Sequence, residues 1–295
     1  MSREGGAEAA PAYGRLSADA EGLAAFRTLV LDHYRRSARS FPWRETRDPW
    51  AVLVSEVMLQ QTQTDRVLPK YLAWMERFPD PASLAAAPLP EVLGLWSGLG
   101  YNRRALALVR AAAEIACRAA EGRGFPRDEA SLLELPGVGP YTARAVLAFA
   151  FGEPVALIET NVRSAFLHHF FPGEAGVPDS RIAPLVAACA AAEAADPRRW
   201  NYALMDYGVE LKRRIGNPNR LSAHYARQSP FADSHRRIRG AILRELGKGA
   251  ASRDELASAL PFARERVEAA LRDLEREGFV DVVGDGASLK GSAGR

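Results

Sequence analysis

The stretch Leu135-Pro-Gly-Val-Gly-Pro-Tyr-Thr-Ala-Arg-Ala145 constrains this chain more than any other. Ahead of it, Asp128 to Leu135 spaces its apolar residues as a helix does and places acids in the first turn. Behind it, Ala145 to Phe151 continues a second helix, which Gly152 ends. Gly137 and Gly139 leave the turn between them without Cβ atoms, so backbone N–H groups can face outward. Pro140 suits the first helical position, where a missing N–H is no loss. Donors aimed along the positive end of a helix make a seat for a phosphate. An ordinary helix-turn-helix corner also reads Gly-x-Gly, and only the longer string separates the two.

At 295 residues the chain can bury a sizeable core and predicts two domains. Its net charge of +3 argues little by itself. The arginines are unevenly placed, however: those between Arg198 and Arg244, together with Lys212, have few acids among them. Such a run suits a polyanion, or else a solvated surface. Cys117 and Cys189 are too few for a disulfide framework or a thiolate cluster and read as buried small hydrophobes. His168 and His169 point to different helix faces and have no third ligand, so no metal site is expected. No run reaches the length of a membrane span. Residues 1–20 lack an apolar segment and read as a disordered tail, which places the protein in the cytoplasm with the nucleoid.

Helical periodicity then covers Gly22–Ala38, Trp50–Gln63, Arg66–Arg77, Ser83–Ala87, Glu91–Trp96 and a long helix to Glu121. Strand-like alternation before residue 230 is confined to Val155–Ile158, so this part is mostly α. Glu56 is the odd residue of an apolar helical run, and periodicity alone would put it on an exposed face. Glu159 precedes a helix that Thr160 or Asn161 could cap, and it either completes that cap or serves chemistry. From Asp233 the character changes. A basic helix, a capping box at Ser252-Arg-Asp-Glu255, a third helix and alternation around Gly284-Asp-Gly286 describe a winged helix, which binds DNA or protein.

Phe-Pro-Trp-Arg44, Ser-Glu-Val-Met-Leu-Gln-Gln-Thr62, Leu-Trp-Ser-Gly-Leu-Gly-Tyr101, Leu-Pro-Gly-Val-Gly139 and Glu-Thr-Asn161-Val occur in one order over some two hundred residues. Together they make residues 21–231 resemble the helix-hairpin-helix (HhH-GPD) DNA glycosylase superfamily, in particular its adenine DNA glycosylase (MutY) branch. The resemblance implies a mostly α fold of two helical subdomains, with double-stranded DNA and a flipped base in the cleft between them, followed by the winged helix at 234–291. It also assigns roles. Glu56 falls on the catalytic glutamate, and Asn161 on an asparagine near the catalytic acid. Gln60 and Gln61 match the wedge left in the duplex when the base leaves. Gly137, Val138, Gly139 and Thr142 belong to the hairpin that grips DNA backbone, with Arg44 and Tyr101 as further DNA contacts. Tyr141 stands where lyase relatives carry lysine, so no Schiff base to the sugar is available and strand cleavage is not expected.

Breaking an N-glycosidic bond through a cationic sugar calls for two carboxyl groups. One must hold a proton to give to the leaving base, which burial in an apolar helix favours, and Glu56 suits it. The other must stay ionised beside the sugar, and Glu159 suits that. Flipping the base itself costs a few kcal/mol, the reason for a wedge. Three departures from the family stand out. Glu159 replaces the usual aspartate. The four cysteines of the family's iron–sulfur cluster are missing, their places falling near Lys212, Asn219, Ser222 and Gln228, so no cofactor is expected. The winged helix replaces the domain that reads 8-oxoguanine, and is expected to add affinity or partner contacts while taking no part in the chemistry. The reading is a monomeric, monofunctional glycosylase of base-excision repair that removes a mispaired or damaged base, most of all adenine. Its alternatives are removal of thymine or uracil opposite guanine, and a non-catalytic DNA-binding protein on the same scaffold.

Overall fold

The computed structural model describes residues 14–226 and 234–292. α1 (Ala20–Ser37) starts from Asp19, whose carboxylate accepts the Gly22 N–H at 2.8 Å. α2 (Pro42–Glu45), α3 (Pro49–Leu59), α4 (Thr64–Arg77), α5 (Pro81–Ala85), α6 (Leu89–Trp96) and α7 (Arg103–Ala120) follow. In α2, α3, α5 and α6 a proline occupies the first turn, where no intrahelical N–H is needed. α8 (Glu129–Leu133) and α9 (Pro140–Val146) flank the glycine turn, and α9 runs on into a π-turn over Leu147–Phe151. Then come α10 (Thr160–Phe170), α11 (Asp179–Ala192) and α12 (Pro197–Ile215). The C-terminal segment holds α13 (His235–Leu246), β1 (Ala251–Ser252), α14 (Arg253–Ala259), α15 (Arg264–Glu277), β2 (Val280–Val283) and β3 (Gly286–Leu289). Its antiparallel sheet has the order β1-β3-β2, with Val280 opposite Leu289 and Ala251 opposite Ala287.

The chain forms two compact units. Among the described residues, one combines 14–40 with 147–226; the other combines Phe41–Val146 with 234–292. The first unit is built on aromatic packing, with Phe26 of α1 edge-on to Phe170, Trp200 and Tyr207. His169 lies within it, fully buried, its ring bonded to Tyr207 Oη at 2.6 Å and to the Gly14 carbonyl at 2.8 Å. Burial pushes its pKa down to about 4. In the second unit Trp74 packs edge-on to Trp96 and Phe78, and Trp50 donates its indole N–H to the Phe78 carbonyl at 3.1 Å.

Several sequence expectations are revised. Residues 1–13 of the expected tail lie outside the described residues, but Gly14 onward is fastened: besides Gly14, Leu16 donates its N–H to the His169 carbonyl. The expected domain boundary at 231–234 falls largely in 227–233, also outside the described residues. Val155–Ile158 forms no strand. β1 is too short for alternation to reveal it; the edge of β3 defines it. The helix expected to reach Gln63 ends at Leu59, because Gln61 turns left-handed at φ +54° and the carbonyls before it are taken from outside the helix.

Candidate functional site

Asp48 caps α3 by accepting the N–H groups of Trp50 and Ala51. From Trp50 to Met58 every residue of this helix is buried, so it presents no solvent face. Glu56 lies among them at 7% exposure, against the expectation from periodicity. A carboxyl group in such a setting is costly to place, which makes Glu56 a candidate for chemistry.

The far end of α3 is held by Arg104, at the start of α7. Its Nη1 donates to the carbonyls of Val57 at 2.7 Å, Met58 at 2.9 Å and Gln60 at 2.7 Å. Its Nη2 donates to Thr62 Oγ1 and to the carbonyls of Leu99 and Gly100. Burial pushes its guanidinium pKa down to about 10. Arg104 was not singled out by sequence reasoning; its place directly after the glycine turn 98–100 was the available signal. Of the two wedge candidates, Gln60 donates from Nε2 to Thr142 Oγ1 at 3.2 Å, and Gln61 is exposed on the left-handed turn.

The two hairpin glycines differ. Gly137 has φ +79°, and a Cβ there would stand 2.7 Å from Ala107 Cβ, so the turn packs on α7 only with glycine. Gly139 has no positive φ and open space around it. The close approach that only glycine permits is therefore at Gly137, while a Cβ at Gly139 would meet nothing within 4 Å. Val138 is buried at 7% and Thr142 at 3%, anchoring the turn from beneath. Ala143 is the residue whose N–H first closes back, onto the Gly139 carbonyl, so the turn presents its N-terminal end outward. Arg144 pairs with Glu129 at 2.8 Å and joins the two hairpin helices. A shallow cleft beside the turn is lined by Val57, Gln60, Arg103, Arg104, Ala107 and Gly137. Tyr141 is half-buried on α9. Arg44 lies over the Phe41 ring, which stacks on buried Trp43.

Tyr101 holds φ +48°, a strained value for a non-glycine residue, and it follows Gly98 and Gly100, both also positive. Arg104 and Arg236 both lie against its ring, at 5.5 Å and 5.2 Å, and Arg236 donates to its hydroxyl.

In the other unit, Glu159 is itself the N-cap of α10; sequence reasoning had given that place to Thr160 or Asn161. Its Oε1 accepts the N–H groups of Asn161 and Val162, each at 2.8 Å. Its Oε2 accepts Asn161 Nδ2 at 2.9 Å and Thr160 Oγ1 at 3.1 Å. The longer side chain thus reaches the cap that an aspartate would make, and its negative charge sits at the positive end of α10. Asn161 Oδ1 is buried and finds no hydrogen-bond partner among the described residues. Lys212 of α12, noted from sequence only as a place where relatives carry cysteine, has its ammonium pKa lowered by burial, with the charge of Glu159 opposing.

Lys212, Asn219 and Ser222 offer no thiolate, and Gln228 lies outside the described residues. These residues do not fit an iron–sulfur cluster. The segment is closed by other means. Val177 and Ser222 form a parallel bridge, Val177 donates to the Leu221 carbonyl, Ala223 donates to that of Val177, and Arg163 reaches Asn219.

Residues 54–233, more than half of the chain, match the HhH-GPD superfamily of base excision DNA repair proteins. The chain is 41% identical over 184 residues to the adenine DNA glycosylase of Mycolicibacterium smegmatis, covering 62% of this chain and 61% of that protein. It is 47% identical over 137 residues to the adenine DNA glycosylase of Mycobacterium tuberculosis (strain H37Rv), covering 46% and 44%. In both, the match spans less than two thirds of the relative's length. Among solved structures, a thermostable thymine-DNA glycosylase superimposes with a TM-score of 0.56 at 26% identity, covering 64% of this chain and 88% of that one.

Proposed function

The chain belongs to the HhH-GPD superfamily of base excision DNA repair proteins, and from that premise we propose that it is a DNA glycosylase removing a mispaired base, adenine before others. The observation that carries this reading is Glu56, a carboxyl group 7% exposed in a helix buried on every face. Glu56 gives its proton to the departing base, so the glycosidic electron pair leaves with the base and a cationic sugar remains. Glu159 is assigned the role of the ionised carboxylate whose charge lowers the energy of that cation. Water then adds at the anomeric carbon and its proton returns to Glu56. The hairpin around Gly139 holds backbone phosphate, Gln60 and Gln61 fill the gap left by the flipped base, and Arg44 and Tyr101 contact DNA.

Tyr141 has no amine to form an imine with the sugar, so the reading includes no strand cleavage. It includes no iron–sulfur cluster either. The C-terminal helix–strand–helix–helix–hairpin is read as a winged helix, and the protein acts as a monomer where the chromosome is, in the cytoplasm. The likeness to a thymine-DNA glycosylase favours a second reading, removal of thymine or uracil opposite guanine. One experiment tests both: duplexes carrying every mispair and 8-oxoguanine pairs are incubated with the protein, cleaved with alkali, and the released base is identified. Adenine upholds the proposal, thymine or uracil favours the second reading, and no released base leaves a DNA-binding protein without chemistry.

A further inference from the structure

Within the C-terminal segment, α15 and the β2–β3 hairpin are poorly suited to hold DNA. The four arginines of α15 are outnumbered by Glu265, Glu268, Asp273, Glu275 and Glu277, and a face of that balance gains little from phosphates. The β2–β3 hairpin carries Asp281 and Asp285, and at its tip Val283 is 82% exposed. What the segment does engage is the corner formed by residues 98–104 of its own unit. Glu277, the last residue of α15, accepts Arg103 Nε at 2.7 Å and also bonds its Nη2. The same carboxylate accepts Arg239 of α13 at 2.8 Å and 2.5 Å. Burial would raise its pKa, but the two guanidiniums outweigh that and hold it at about 2. Arg236, one turn ahead of Arg239 on α13, bonds the Tyr101 hydroxyl and lies over its ring, as Arg104 also does.

These contacts form a connected series. Arg236 bonds the side chain of Tyr101, whose backbone is in a strained left-handed conformation. Tyr101 lies against Arg104, and Arg104 holds the carbonyls of Val57, Met58 and Gln60 at the end of the helix that carries Glu56. We propose that the C-terminal segment is a brace for the glycosylase site rather than a second DNA reader, with Arg236 and Glu277 as positioning residues for Glu56 and Gln60. This rests on the glycosylase reading above. It also departs from the expectation that the segment adds affinity or partner contacts and takes no part in the chemistry.

The test uses the full chain and the variants Arg236→Ala, Tyr101→Phe, their double, and Glu277→Gln. Three quantities are read: single-turnover excision on saturating DNA, the salt dependence of DNA affinity, and amide exchange over residues 98–104 without DNA. A misplaced reacting group slows chemistry steeply, so Arg236→Ala and Tyr101→Phe should each slow excision by about five- to tenfold. The double should be no slower than either single, because both break one series. Exchange over 98–104 should rise in all four variants while the salt slope stays unchanged. If Arg236→Ala leaves rate and exchange at parental values, the brace is refuted. If it lowers the salt slope by about one, Arg236 is a phosphate contact and the brace is likewise refuted. Should the parent release no base, the glycosylase reading fails, while the exchange measurement still decides whether Arg236 holds the corner.

Discussion

A Cβ on Gly208 would stand 2.2 Å from the Asn161 carbonyl oxygen. α12 therefore approaches the first turn of α10 as closely as backbones allow, and that turn contains the Glu159 cap. The position of Glu159 is thus set by helix packing as well as by its own hydrogen bonds, an arrangement suited to a group whose placement matters.

Glu159→Ala removes an N-cap and should destabilise the protein by about 0.5–2 kcal/mol, measured by denaturant unfolding. Glu159→Asp keeps the cap and the stability but draws the carboxylate back by about 1.5 Å, one C–C bond. Single-turnover excision should then slow by about tenfold or more. An aspartate variant faster than the parent would mean that Glu159 is an impaired site, and would favour the DNA-binding reading without chemistry.

Glu56→Gln keeps the shape of the side chain but has no proton to give. Excision should fall by about two to four orders of magnitude. DNA affinity should hardly move, since phosphate contacts dominate it. A well-folded Glu56→Gln protein that excises at the parental rate would end the proposed mechanism.

The hairpin glycines should separate stability from binding. Gly137→Ala meets both a positive φ and the Ala107 side chain, and should lower stability by about 1–3 kcal/mol. A Cβ at Gly139 would have nothing within 4 Å, so the melting temperature of Gly139→Val should stay near the parental value. Its added bulk should weaken binding to all duplexes alike, because phosphate contacts carry no sequence. Discrimination between sequences by that variant would show that the turn reads bases.

His169 ties stability to pH. Its folded pKa of about 4 lies below the ordinary imidazole value of 6.5, so the unfolded chain binds the proton first. The stabilisation is fully present above 6.5 and is lost as pH falls from 6.5 towards 4, by at most about 3 kcal/mol. Unfolding of the parent and of His169→Phe across that range should give curves whose slopes differ in this window only. Parallel curves would mean that the imidazole titrates normally.

Purified protein should be colourless and free of iron, because the places of the four thiolates hold Lys212, Asn219, Ser222 and Gln228. Stoichiometric iron and sulfide in an anaerobic preparation would contradict this.

What the sequence disclosed was local. The hairpin string, its flanking helices and the capping box at Ser252 depend on neighbours a few residues apart, and each is present. Glu56 was singled out by its apolar surroundings, yet its burial depended on α3 being enclosed from all sides, which no single-helix period encodes. Glu159 was placed one residue off the cap because glutamate is an unusual capping residue. Arg104 and Arg236 act on carbonyls and a ring far away in sequence, and their spacing holds no trace of that. Gly137 and Gly139 look alike in a string and differ in backbone φ and in the approach of Ala107.

The enclosure of α3 bears on how any genetic survey of this protein would look. Substitutions from Trp50 to Met58 all strike packed positions, so a screen scoring repair alone would return one unbroken band of intolerance there. Glu56 would be indistinguishable from Leu53 or Val54. Scoring cellular abundance alongside repair would separate them: cavity-forming changes deplete the protein, whereas Glu56→Gln should leave its level intact and its lesions unrepaired.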